Sequence, residues 1–180
     1  MKHYRQAKGG TTHFFTHATT SAVVQGRRYT LAMGRVRAKQ RMDHVLRTLR
    51  ARLVTLGIRI KLLLLDRGFY SVRVIQDLMT CALPFIVPAV KRGKKSTTAG
   101  GPTGTYTLAA EKQSHWTTYT LKSAKEGQVA FDLAVVCHNT RGHRGRHQRA
   151  ALLYATWGVT HRPLRWMQAT YRNRVGIESS

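Results

Sequence analysis

Apolar positions along this chain change period several times. Over His13–Val24 (HFFTHATTSAVV) aromatic, Thr and Val residues dominate, which favours a strand. Arg28–Val36 (RYTLAMGRV) alternates well enough to be its hairpin partner across a Gln25-Gly26 turn. From Gln40 the period lengthens. Met42, Val45, Leu46, Leu49, Leu53 and Leu56 recur at helical spacing, and Arg47, Arg50 and Arg52 fall largely off that stripe. Gly57 ends this helix. Leu62–Leu65, with Ile58 and Ile60 just upstream, form an apolar block whose length suits a strand buried on both faces, although period alone does not separate it from a buried helix. Ser71 is placed to cap a second helix that turns Val72, Ile75, Leu78 and Met79 inward. Pro84 cannot continue that helix, and PFIVP reads as another short apolar strand. The order strand, strand, helix, strand, helix, strand predicts a mixed α/β sheet with a hairpin at its edge.

Past residue 90 the texture changes. Lys91–Thr105 (KRGKKSTTAGGPTGT) is rich in Gly, Lys and Thr and predicts a mobile basic loop. Three β-like stretches follow, TYTLA from Thr105, WTTYTLK from Trp116 and VAFDLAVVC from Val129, and suggest an inserted antiparallel β unit. His138–Arg149 (HNTRGHRGRHQR) reads as a second basic loop, and ALLYATWG as a fourth strand. No internal repeat is visible. The last twenty residues return to helix, with Pro163 in its first turn and Leu164, Met167 and Val175 as an apolar edge. The expected organisation is a core over 1–90, a β-rich insertion with basic loops over 91–160, and a C-terminal helix of the core over 161–180.

Composition adds a partner. In 180 residues there are 31 Lys and Arg against seven Asp and Glu, a formal net charge of +24. Self-repulsion of that size disfavours a compact state unless a polyanion is near. Nucleic acid fits best, through phosphate contacts and counterion release. An anionic membrane surface fits less well, because no strongly amphipathic basic segment with bulky aromatics is present. No apolar run approaches the roughly 20 residues needed to span a bilayer. MKHYRQAKGG has no signal-peptide core, which makes a cytoplasmic, nucleoid-associated protein the expectation. Cys81 and Cys137, far apart, fit two reduced thiols better than a structural disulfide.

Acids are so scarce that carboxylate chemistry has few candidates. Asp66 ends the LLLL block, where open α/β sheets place functional groups; equally, it can simply open a turn before Gly68. At the other end of the chain stands YRNRVGIESS, in which Tyr171, Arg174 and Glu178 would share one helical face. Alone, that face can be a solvated one with an Arg–Glu pair. Two carboxylates from distant segments of a strongly basic α/β protein suit a Mg²⁺ (or Mn²⁺) site for phosphodiester chemistry. Lys91, Arg92, Lys94 and Lys95 are candidates for nonspecific DNA contact. Cys137, His143 and His147 hint at zinc, but the intervening arginines favour a plain basic loop. Nothing resembles a Ser or Cys nucleophile arrangement.

Leu62–Ser71 (LLLLDRGFYS) with the following helix and PFIVPAVKRGK resembles the middle of insertion-sequence DDE transposases of the IS-four-like superfamily. YRNRVGIESS is similar to the family's signature of Tyr, two residues, Arg, three residues and a catalytic Glu, and THATTSAVVQGRRYTLAMGRV to its hairpin after the first strand. The resemblance covers nearly the whole chain. It implies an RNase H-like α/β fold with a β-rich insertion before the last catalytic helix. Asp66 and Glu178 would be the second and third metal-binding acids. Tyr171 and Arg174 would contact phosphates of double-stranded DNA, at transposon ends and target, and the full-length protein would form a homodimer. The family's first catalytic Asp lies on a strand before the hairpin, whereas the first acid here is Asp43, on the helix after it. Val175 stands where the family often has Trp, and the family's lysine seven residues after the Glu would fall past Ser180. The resemblance therefore implies a transposase core lacking its first strand and inactive in cleavage and strand transfer. The alternative is a basic nucleic-acid-binding protein without enzymatic activity.

Overall fold

The computed structural model describes residues 16–25, 27–95, 100–111, 113–141 and 147–175. These fall into two units, Met1–Ile60 and Lys61–Ser180.

In the first unit, β1 (Thr16–Val24) and β2 (Arg27–Val36) form an antiparallel ladder with an irregularity between Thr20 and Ser21. Gln25, with φ of +51°, makes the turn. Helix α1 (Met42–Thr55) buries Val45, Leu49 and Leu53 against Ala32 and Val36, the stripe expected from the sequence. Leu56 departs from that stripe: it is the C-cap and stays 59% exposed. Gly57 follows at φ +68°, a conformation that ends helices and that side chains with a Cβ resist. The hairpin is not an edge of the larger sheet, as the element order suggested, but a two-stranded sheet of its own. One face is closed by α1, which supplies the burial a lone hairpin lacks.

Asp43 is only 2% exposed, at the start of α1. Burial works to raise its carboxyl, but the Arg41 guanidinium, which donates to it at 3.0 and 2.5 Å, overcomes this together with His44 and the backbone, and holds it below the ordinary aspartate range. A depressed folded-state value means stability that is present above the unfolded value and lost as pH falls through the folded one. Asp43→Asn is therefore expected to lower stability by about 1 kcal/mol near neutral pH. The difference from the native chain should shrink in denaturant titrations carried below about pH 4.

The second unit is built on a five-stranded mixed sheet in the order β3 (Leu63–Leu64), β4 (Phe85–Pro88), β7 (His147–Trp157), β6 (Gly127–Arg141), β5 (His115–Ser123). Strands β3 and β4 are parallel and the other neighbours antiparallel. Phe85, Ile86 and Val87 are fully buried, as a strand covered on both faces requires. Helix α2 (Val72–Thr80) starts at Ser71, whose Oγ accepts from the Val74 N–H at 3.4 Å, as its N-cap position predicts. It lies over β5 and β6. Helix α4 (Leu164–Val175) packs Met167 and Tyr171 against Ile86, Ala134, Val136 and Tyr154. Leu133 and Val135, which alternate with Ala134 and Val136 along β6, are equally buried on the opposite face.

Two stretches differ from expectation. TYTLA is a short helix, α3 (Thr105–Ala110), not a strand. Gly104 turns the chain at φ +61°, and the N–H groups of Tyr106 and Thr107 fold back onto the carbonyls of Thr103 and Gly104. Within His138–Arg149, the expected loop, pairing continues through His138↔Ala150 to Arg141↔His147. The ladder propagates outward from the buried Leu133–Val136 segment, and backbone pairing needs no apolar side chains. That register also separates Cys137 from His147 by four rungs, roughly 13 Å, too far for one zinc ion; His143 lies outside the described residues. Among the described residues, four α-helices are present and none is long and apolar enough to cross a membrane.

Candidate functional site

Asp66 stands where β3 stops. Its backbone is extended (φ −71°, ψ 155°), and its carbonyl accepts from the Phe69 N–H at 2.9 Å to open a single 3-10 turn, Arg67–Phe69. The carboxylate itself makes no capping hydrogen bond to that turn, and the residue is exposed. Of the two sequence-level possibilities, a turn-opening aspartate explains the backbone but leaves the side chain without that employment.

One residue of the C-terminal motif reaches the same strand end. The Tyr171 hydroxyl, on α4, donates to the carbonyl of Leu65 at 3.0 Å, bridging 106 positions of sequence to the residue just before Asp66. Tyr171 is 8% exposed and its ring lies 5.2 Å from that of Tyr154. Burial, then charge repulsion from the Tyr171 phenol, pushes the Tyr154 phenol up, against a smaller opposing effect of Arg172. Tyr171 thus sits inside the fold, its hydroxyl on Leu65; the phosphate contact implied by resemblance would use an atom already committed there. Arg174 is on α4, and Glu178 lies outside the described residues. No group of three His, Cys, Asp or Glu side chains that could hold a metal ion occurs among the described residues.

No family model matches the chain, and no curated protein does.

The basic segment after β4 is more ordered than its composition suggests. Lys91, Arg92, Lys94 and Lys95 are all exposed. The Arg92 N–H donates to Thr105 Oγ1 at 2.6 Å and the Lys94 N–H to Thr103 Oγ1 at 2.8 Å, while the Thr103 and Thr105 N–H groups return to the carbonyls of Lys94 and Arg92. The two arms are clamped by their threonines. A Cβ on Gly93 would lie 2.2 Å from the Thr103 carbonyl oxygen, so the close approach demands glycine there. Residues 96–99 lie outside the described residues. From this clamp the Arg92 guanidinium lies 5.9 Å from the Tyr70 ring centre and donates to the Lys122 carbonyl. Burial, with the nearby Tyr119, drives the Tyr70 phenol well above the ordinary tyrosine range, and Arg92 offsets part of this.

Sequence reasoning missed the roles of Thr103 and Thr105. Their signal was the Thr-Gly-Thr spacing opposite Arg-Gly-Lys, which permits a close two-strand approach.

Proposed function

We propose that this chain is a transposase-derived, DNA-binding domain of RNase H-like architecture, whose ancestral reaction is metal-dependent DNA cleavage and strand transfer. The observation that carries this is the bond from Tyr171 to Leu65, which seats the helix of the YRNR motif on the strand end bearing Asp66. The topology also supports it. In an RNase H-like sheet one central strand lies between the hairpin and the strand of the second acid. Among the described residues the hairpin and β3 belong to separate sheets, which fits a core whose intervening strand is not among those residues.

Asp66 and Glu178 are the residues that would hold Mg²⁺ or Mn²⁺. Asp66 is an exposed oxygen donor at a strand end, and Mg²⁺ needs only one or two carboxylates beside water and substrate phosphates. The ion would supply charge neutralisation and an activated oxygen at the phosphodiester. What the chain contributes by itself is a cationic approach for the backbone, from Arg174 and from Lys91, Arg92, Lys94 and Lys95.

Fe²⁺ exchanged for Mg²⁺ in the presence of ascorbate and peroxide tests the site directly, because radicals formed at a bound iron cut the nearest backbone. Scission beside residue 66, lost in Asp66→Ala, is expected. Absent or diffuse scission, with DNA binding intact, would instead favour a basic nucleic-acid-binding protein without a metal site.

A further inference from the structure

Pro88 creates a vacancy in the sheet that Tyr171 fills. Strand β4 lies between β3 and β7, so each of its N–H groups faces one neighbour or the other. The Ala89 N–H donates to Leu153 in β7 at 2.8 Å, which turns positions 86 and 88 toward β3. On β3, the N–H groups of Leu63 and Leu65 donate to Pro84 and Ile86, both at 2.9 Å. In a parallel ladder the carbonyls interleave with these donors, so the Leu65 carbonyl should receive the N–H of residue 88. Proline has none. Pairing accordingly stops at Leu64↔Ile86, and proline in an interior strand is normally disfavoured for this reason.

We infer that Tyr171 is a positioning residue for Asp66, its hydroxyl supplying to Leu65 the hydrogen bond that Pro88 has no N–H to give. The donor is well aimed for the task. Tyr154, the cross-strand partner of Pro88 on β7, packs at a tilt against the Tyr171 ring, which links the proline, its partner and its substitute donor. A buried carbonyl without a donor is costly, which makes the bond more than incidental.

The consequence is coupling. With an ordinary residue at 88, β4 alone would hold the Leu65 peptide, and Asp66 would be placed whatever α4 did. With proline, the last rung of β3 depends on the helix that carries Arg174. Docking of α4 and fixing of the Asp66 backbone become a single event. The bond exchange rests on geometry alone; its meaning for metal binding rests on the function proposed above.

The test is a double-mutant cycle read by hydrogen exchange of the segment Leu62–Tyr70 in the full chain. Tyr171→Phe keeps the ring and removes the hydroxyl, and should speed exchange of the Leu65 and Phe69 amides about tenfold. Pro88→Ala restores an N–H opposite Leu65, so adding Tyr171→Phe to it should change exchange less than about twofold. Equal acceleration in both backgrounds, or none in either, overturns the inference. Should Tyr171→Phe alone not fold, recovery of folding in the double variant supports the exchange of donors, and failure of both refutes it. Fe²⁺ scission separates the two proposals: rescue without scission beside Asp66 confirms the positioning bond while rejecting the metal site.

Discussion

Affinity of this chain for duplex DNA is expected to collapse as salt rises, by roughly a thousandfold between 50 and 200 mM if about six phosphates are contacted. Neutralising Z phosphates gives a slope of about −0.9Z in log K against log salt, and about six contacts give a slope near −5. Six is modest for a chain with a formal charge of +24 and only seven acids. The clamped turn alone offers Lys91, Arg92, Lys94 and Lys95, all exposed. These side chains meet phosphates rather than base edges, so duplexes of unrelated sequence should bind within a small factor of one another. Lys94→Ala with Lys95→Ala should reduce the slope by about two without altering sequence preference. Fluorescence titrations at several salt concentrations give the number directly. A slope near zero would remove DNA from the account, whatever the affinity at a single salt concentration.

Some of this was visible in the residues and some was not, for physical reasons. The α1 stripe, the Ser71 cap and the PFIVP strand are local patterns, and local hydrogen bonding and burial decide them. TYTLA has the composition of a strand, yet Gly104 and the returning N–H groups of Tyr106 and Thr107 coil it; five residues of propensity are overruled by one turn. The basic hairpin end at His138–Arg141 shows no apolar alternation because register, inherited from buried neighbours, needs none. Asp66 remained ambiguous in sequence, since a strand-end ligand and a turn opener share one pattern. In the structure its backbone opens the Arg67–Phe69 turn while its side chain makes no cap to it. The Pro88–Tyr171 relation was beyond reach, because it joins two residues through a third, Leu65, across most of the unit.

The purified chain should show no Mg²⁺-dependent nicking or strand transfer above its metal-free background, and the reason lies in where its acids are. A pair of metal ions that activates one oxygen and stabilises another needs carboxylates converging on a shared point. Asp43 is buried at the start of α1, held by Arg41. Asp77 lies on α2 and Asp132 in the middle of β6. Glu111 pairs with His115 at 3.2 Å, and Glu126 with Arg73 at 3.9 Å. The proposed pair, Asp66 and Glu178, lacks the third carboxylate that would bridge two metal ions. A supercoiled plasmid incubated with the chain and Mg²⁺ or Mn²⁺, beside Asp66→Ala and Glu178→Ala, decides the matter. Equal background in all three fits a domain that binds DNA without cutting it. Robust nicking abolished by both substitutions would overturn this expectation, and would require that another residue of the chain supply the third ligand.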